Sequence, residues 1–156
     1  MVQMVRMVAL ALCLVMVLLV VVHLAEGTDV SYCNKITEYD VKVSGVEISP
    51  NPVARGQPAT FSISATTGEP IIGGKLVIDV SYFGWHIHSE THDLCSETSC
   101  PVSEGDFTVS HSQVLPGYTP PGSYSLKMKM YDTTGRELTC IGFDFSIGFI
   151  STISDN

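Results

Sequence analysis

Cysteine and histidine are the residue types in this chain whose spacing could do chemistry. Cys13 lies in an apolar N-terminal run, and four cysteines follow it: Cys33, Cys95, Cys100 and Cys140. An even set in an oxidising compartment reads as two disulfides, with three pairings open. The segment CSETSC separates Cys95 from Cys100 by four residues, enough for a tight closed loop. We therefore take Cys95–Cys100 and Cys33–Cys140. The second bond closes a loop of roughly 100 residues, worth about 4–5 kcal/mol in the chain-entropy model. Structural zinc sites favour cysteine pairs two to four residues apart, and only one close pair exists here. No Cys-x-x-Cys redox motif is present.

The histidines beyond the leader are His86, His88, His92 and His111. By strand periodicity His86 and His88 share a face, with His92 near. A His-x-His pair can hold zinc or copper. No carboxylate-rich motif completes a known pattern, so neither a metal nor a cofactor is expected. A response to pH is the chemistry this pair would best supply, since histidine titrates near pH 6.5. The plainer reading is exposed strand histidines with no role. Nucleophilic catalysis finds no motif: there is no Gly-x-Ser-x-Gly, no glycine-rich phosphate loop and no unpaired cysteine beyond the leader. The chain is not expected to be an enzyme.

The elements that would position these residues begin after a leader. Met7 to Val22 are 16 consecutive apolar residues, preceded by Arg6 and followed by Ala25-Glu26-Gly27. That order is a signal peptide, with the cut expected after Gly27. An uncleaved anchor is the alternative, because the run is close to the ~18–20 residues that span a bilayer. Residues 1–27 are thus read as leader, 28–150 as one domain and 151–156 as a polar tail. Arg6 and Glu26 leave with the leader, so 7 basic and 15 acidic residues remain and the net charge stays −8. Such a balance excludes phosphate-backbone recognition, so no nucleic-acid partner is expected. It also argues against docking on anionic membrane by charge alone.

Beyond the leader the chain reads as strands and turns. YDVKVSGVEISP alternates, with an irregularity at Gly45, and ATFSISAT places Phe61, Ile63 and Ala65 on one face. In KLVIDVSYFGWHI, Leu76, Ile78, Val80 and Tyr82 share a face opposite Lys75, Asp79 and Ser81. SYSLKMKMYD sets Tyr124, Leu126, Met128 and Met130 against Lys127 and Lys129. ELTCIGFDFSIGFI sets Ile141, Phe143, Phe145 and Ile147 against Asp144 and Ser146. FTVSHSQVL is a further strand, and NPVARGQPA, TTGEPIIGG and PGYTPPG are turns. Period 2 throughout, with glycine and proline turns, predicts an all-β, immunoglobulin-like sandwich of about seven antiparallel strands. A small barrel is the alternative.

The ordered set of Cys33, VEISPNPVARGQPATFSISA, DLCSETSCPV, LPGYTPPGSYSLKMKMYD and ELTCIGFDFSI resembles the MD-2-related lipid-recognition (ML) family. That family includes Niemann-Pick type C2 proteins and phosphatidylglycerol/phosphatidylinositol transfer proteins, and the pattern is nearest to the plant-type transfer members. The resemblance spans roughly Asp29 to Ile147. It implies two sheets with a hydrophobic lipid cavity between them, and its disulfides map onto Cys33–Cys140 and Cys95–Cys100. The cysteines of a third disulfide, carried by some relatives, are absent, as is any Asn-x-Ser/Thr sequon.

The resemblance implies a carrier that holds one lipid and moves it between membranes, phosphatidylglycerol or phosphatidylinositol before sterol. The expected lining is Phe61, Ile63, Ile78, Val80, Tyr82, Trp85, Leu126, Met128, Met130, Phe143, Phe145 and Ile147. Inward apolar residues fill the core of any sandwich, so each is equally a packing residue. Tyr118, Pro120 and Pro121 are expected at the mouth, with transient membrane contact there. Lys75, Lys127 and Lys129 could meet a head group, although outward lysines usually guard strand edges. A monomer in the secretory pathway is expected, in the extracellular space or a vacuolar or endolysosomal lumen. The rival classes are a lipid-dependent module that binds a membrane protein and an adhesion domain with a solid core. A ligand-sized cavity separates the carrier from the latter.

Overall fold

The computed structural model describes residues 6–8, 12–14 and 27–149. Most of the leader and the whole of the polar tail lie outside the described residues. Eight strands and one short helix follow residue 27: β1 (Val30–Tyr32), β2 (Val41–Ser49), β3 (Pro58–Thr67), β4 (Gly74–Tyr82), β5 (Trp85–Asp93), α1 (Leu94–Glu97), β6 (Gly105–Val114), β7 (Gly122–Asp132) and β8 (Glu137–Ile147). They form a five-stranded sheet ordered β1-β8-β7-β4-β5 and a three-stranded sheet ordered β2-β3-β6. Every named strand pair is antiparallel. The fold is the expected sandwich of two antiparallel sheets, with eight strands where about seven were expected.

The additional strands have physical reasons for being hard to see. KLVIDVSYFGWHI is a hairpin, not one strand: Tyr82 pairs with Trp85 across a two-residue turn. Phe83 (φ 48°) and Gly84 (φ 79°) both take positive φ, the signature of a type I′ turn. Asn-Gly or Asp-Gly usually marks that turn; Phe-Gly does not. β5 then runs along a sheet edge with polar residues on both faces, so its alternation carries little hydrophobic signal.

A bulge also separates His86 from His88. Ser81 pairs with His86 and Val80 with His88, so Ile87 is the extra residue on β5. One extra residue reverses the alternation. His86 therefore lies beside Ser81 on the outer face and His88 beside Val80 on the inner one, contrary to the expectation of a shared face.

The core is the set of inward residues of both sheets. Ile63, Leu76, Ile78, Met130, Ile141 and Ile147 are among the most deeply buried. The sheets are also joined along the chain. Val30 pairs with Phe143 in one sheet while Thr28 bridges Val46 in the other, and Val53 bridges Ile147. Disulfides link Cys33 to Cys140, tying β1 to β8, and Cys95 to Cys100, closing the loop after α1. At Gly74 (φ 151°) a Cβ would fall on the carbonyl oxygen of Tyr131, so only glycine fits there.

Candidate functional site

β5 and β6 are edge strands of the two sheets. A cavity of about 470 Å³ lies between the sheets, lined from both by Phe61, Ile78, Val80, Leu126, Tyr124, Phe145 and Ile147. That volume is within the ~300–1,000 Å³ typical of ligand pockets. Ile87, Leu115, Pro116, Tyr118, Thr119 and Pro120 complete the wall where it opens to solvent. A second hollow, of about 600 Å³, lies on the outer face of the larger sheet. Asp29, Asp79, Asp144, Lys127 and His86 line it, which makes it a poor host for an apolar ligand.

Of the residues expected to line a cavity, Phe61, Ile78, Val80, Leu126, Phe145 and Ile147 come together around this one. Ile63, Met128, Met130 and Phe143 are buried in the core but do not line it. Tyr82 stacks on Tyr124 with ring centroids 4.6 Å apart and stands outside the lining. Trp85 is not inside at all: it follows the turn of the β4–β5 hairpin and is 79% exposed. Tyr118 and Pro120 stand on the rim; Pro121 contributes only its carbonyl to the site's framework.

The β6–β7 loop, residues 115–121, arches over the opening and is held at several points. The Gly56 N–H donates to the Leu115 carbonyl at 2.8 Å. Arg55 Nη1 donates to the carbonyls of Gly117 and Thr119, at 3.4 and 3.3 Å. Tyr124 Oη donates to the Pro120 carbonyl at 2.6 Å and Tyr82 Oη to the Pro121 carbonyl at 3.1 Å. Burial raises the Tyr124 phenol above its ordinary pKa, which keeps it a donor. The loop is thus tied to the sandwich mainly through its carbonyls, with Leu115 packed against the core.

Beside the opening stands an exposed aromatic hairpin. Phe83 is 76% exposed, and its ring meets the Tyr82 ring edge-on at 4.4 Å. Trp85, Ile87 and Tyr118 are exposed as well. On the β5–β6 side the pocket wall turns polar, with His88, Glu90, His111 and Gln113. Sequence reasoning missed this group because its members sit on two strands, and because the bulge at Ile87 turned Glu90 and His92 inward.

The profile of the ML domain matches residues 27–147. A phosphatidylglycerol/phosphatidylinositol transfer protein of Aspergillus oryzae is 30% identical over 121 residues, 74% of this chain and 69% of its own length. One from Schizosaccharomyces pombe is 31% identical over 125 residues, covering 74% of this chain and 66% of its own. A Dictyostelium discoideum protein provisionally given the same name is 31% identical over 134 residues, 83% of this chain and 92% of its own. Among solved structures, a Niemann-Pick type C2 protein from Japanese carpenter ant superposes with a TM-score of 0.61 at 16% identity, over 77% of this chain and 99% of that one. Chicken MD-1 complexed with lipid IVa gives 0.50 at 12% identity, over 78% and 88%. These two likenesses establish the fold. With a family match over most of its length and relatives at or above 30% identity, this chain belongs to the ML-domain family.

Proposed function

We infer that this protein binds a single lipid between its two sheets and transfers it between membranes, with phosphatidylglycerol and phosphatidylinositol as the lipid classes. The observation that carries the reading is the cavity of about 470 Å³ between the sheets, lined mainly by the apolar residues Phe61, Ile78, Val80, Leu126, Phe145 and Ile147. The names of the relatives supply the lipid class. Each methylene taken out of water gains about 0.8 kcal/mol, so ten of them in the pocket hold a chain by about 8 kcal/mol. The donor and acceptor membranes are equally apolar, so exchange costs little once the pocket touches a bilayer.

Phe83, Trp85, Ile87 and Tyr118 serve as that contact. Aromatic side chains settle at the membrane interface; Tyr118, with Ile87, is exposed on the pocket wall, and Phe83 and Trp85 are exposed at the tip of the β4–β5 hairpin. An acidic chain, −8 overall, needs such local apolar contact because charge does not bring it to the surface. No catalytic step is proposed. The leader, the disulfides and the lipid ligand together favour the secretory pathway or an endolysosomal lumen, with the protein acting as a monomer.

The test is transfer of labelled phosphatidylglycerol or phosphatidylinositol between vesicles, with sterol in a parallel arm. Val80→Trp fills the pocket from a half-buried position and should abolish transfer while the fold, read by circular dichroism, persists. Transfer by the folded variant at the wild-type rate would refute the pocket as the carrier site. Transfer of sterol alone would reassign the ligand class.

A further inference from the structure

We propose that Glu90, His92 and His111 form a zinc site that ties the β5 edge of one sheet to the β6 edge of the other. Glu90 and His92 lie on β5, two residues apart on its inner face; His111 lies opposite on β6. One ligand atom from each falls within 4.8 Å of the other two. His92 Nε2 is 3.4 Å from Glu90 Oε2, and His111 Nε2 is 3.2 Å from Glu90 Oε1. Ligands held ~2.0–2.1 Å from zinc on a tetrahedron stand about 3.4 Å apart, the same separation.

The orientation of the rings points the same way. Glu90 faces the Nε2 atoms of His92 and His111, with the more exposed His88 Nε2 also 3.5 Å from its Oε2, and Glu97 faces both Nδ1 atoms of the pair. His111 Nδ1 is hydrogen-bonded to Glu97 Oε2 at 3.2 Å, and His92 Nδ1 is 3.6 Å from Glu97 Oε1. A carboxylate that accepts from Nδ1–H fixes the tautomer with its lone pair on Nε2, which is how outer carboxylates prepare histidines for a metal. His92 Nε2 is buried and, despite its nearness to Glu90, has no hydrogen-bond partner among the described residues. The site is also short of positive charge. Glu97 is 10% exposed and Glu90 19%, and neither pairs with a lysine or arginine among the described residues. A divalent cation would supply that charge. Two imidazoles with one carboxylate suit zinc better than the all-oxygen sets of calcium or magnesium.

The surrounding elements hold this geometry. Asp93 caps α1 by accepting from the Cys95 N–H at 2.7 Å, and Thr98 Oγ1 donates to the Thr108 carbonyl at 2.8 Å. With the Cys95–Cys100 disulfide these contacts press Glu97 against His111. Turned with its NH₂ inward, the Gln113 amide donates to both oxygens of Glu90, at 3.1 and 3.2 Å, and to His111 Nε2 at 3.3 Å. That amide holds the place in the metal-free protein and turns aside when zinc binds. Glu90 and His111 also line the pocket, but zinc binding is read by metal alone, so its failure is distinguishable from failure of the lipid reading.

Zinc is titrated into the disulfide-bonded protein, made without a histidine tag and freed of metal by chelator. Native mass spectrometry reads stoichiometry and competition with a chromophoric chelator reads affinity; cobalt(II) absorption reports coordination. One equivalent is expected, with a tetrahedral cobalt spectrum. Glu90→Gln and His92→Gln should each weaken zinc at least tenfold, and Glu97→Gln by 10–100-fold as an outer partner. His111 is buried and its variants risk misfolding, so the test rests on the other three. His86→Ala, on the outer face of the sheet, should keep the full equivalent. Absence of stoichiometric zinc at micromolar concentration would overturn the site, as would binding lost in His86→Ala but kept in Glu90→Gln.

Discussion

At the scale of residues, Phe83 is held where a bulky side chain does not belong. A left-handed φ of 48° costs an L-residue about 1–2 kcal/mol, yet most of this ring is in solvent. Beyond its edge-on contact with Tyr82 the ring is in solvent, and strain kept for so little burial points to use of the ring itself. Phe83→Asn tolerates the same φ and restores the preferred Asn-Gly turn. It should therefore raise the melting temperature slightly while weakening vesicle binding; a variant that gains stability and binds vesicles as before would remove Phe83 from the membrane contact. Asp132 offers a second test. Hydrogen bonds from the Thr134 hydroxyl, then from the Arg136 N–H and side chain, lower its carboxyl pKa from 3.8 to about 2. A depressed pKa contributes stability that is full above the unfolded value and is lost as pH falls through the folded one. The stability gap between wild type and Asp132→Asn should thus be constant above about pH 5 and shrink from pH 4 toward pH 2. A gap independent of pH over that range would show that the turn does not depend on this charge.

Among the elements, the loop over the pocket is the one expected to move. Arg55 grips it at Gly117 and Thr119 and also donates from Nη2 to the Phe149 carbonyl at 3.4 Å. Removing these bonds with Arg55→Ala should speed lipid release from loaded protein several-fold with little change in the melting temperature. Unchanged release would mean that lipid leaves by another route. Most strands were legible from period 2, and Leu126, Phe145 and Ile147 reached the pocket as their alternation implied. Trp85 did not, because a Phe-Gly turn gives no sequence signal and reading through it extends β4 into a false inner face. The histidines failed for a related reason: the alternation was right, but the bulge at Ile87 reversed it. Glu90, Glu97 and His111 meet only through the pairing of distant strands and a disulfide loop, which no local pattern encodes.

The whole molecule trades packing for a cavity. Unfilled apolar volume destabilises a core, by roughly 24 cal/mol per Å³ in small engineered cavities, although a pocket open to solvent relieves part of that. The Cys33–Cys140 bond spans 107 residues and joins β1 to β8, which offsets some of the loss by restricting the unfolded chain. Lipid that binds only the folded form adds stability by mass action. Cys33→Ser/Cys140→Ser should therefore lower the melting temperature of lipid-free protein strongly, with lipid restoring part of it; an equal loss with and without lipid would separate the staple from the cavity. The most direct measurement is native mass spectrometry of the purified, disulfide-bonded protein, with the released ligand identified by fragmentation. One lipid per chain is expected, a phosphatidylglycerol or phosphatidylinositol, lost from Val80→Trp. Protein that carries no lipid and takes up none from vesicles would contradict lipid carriage.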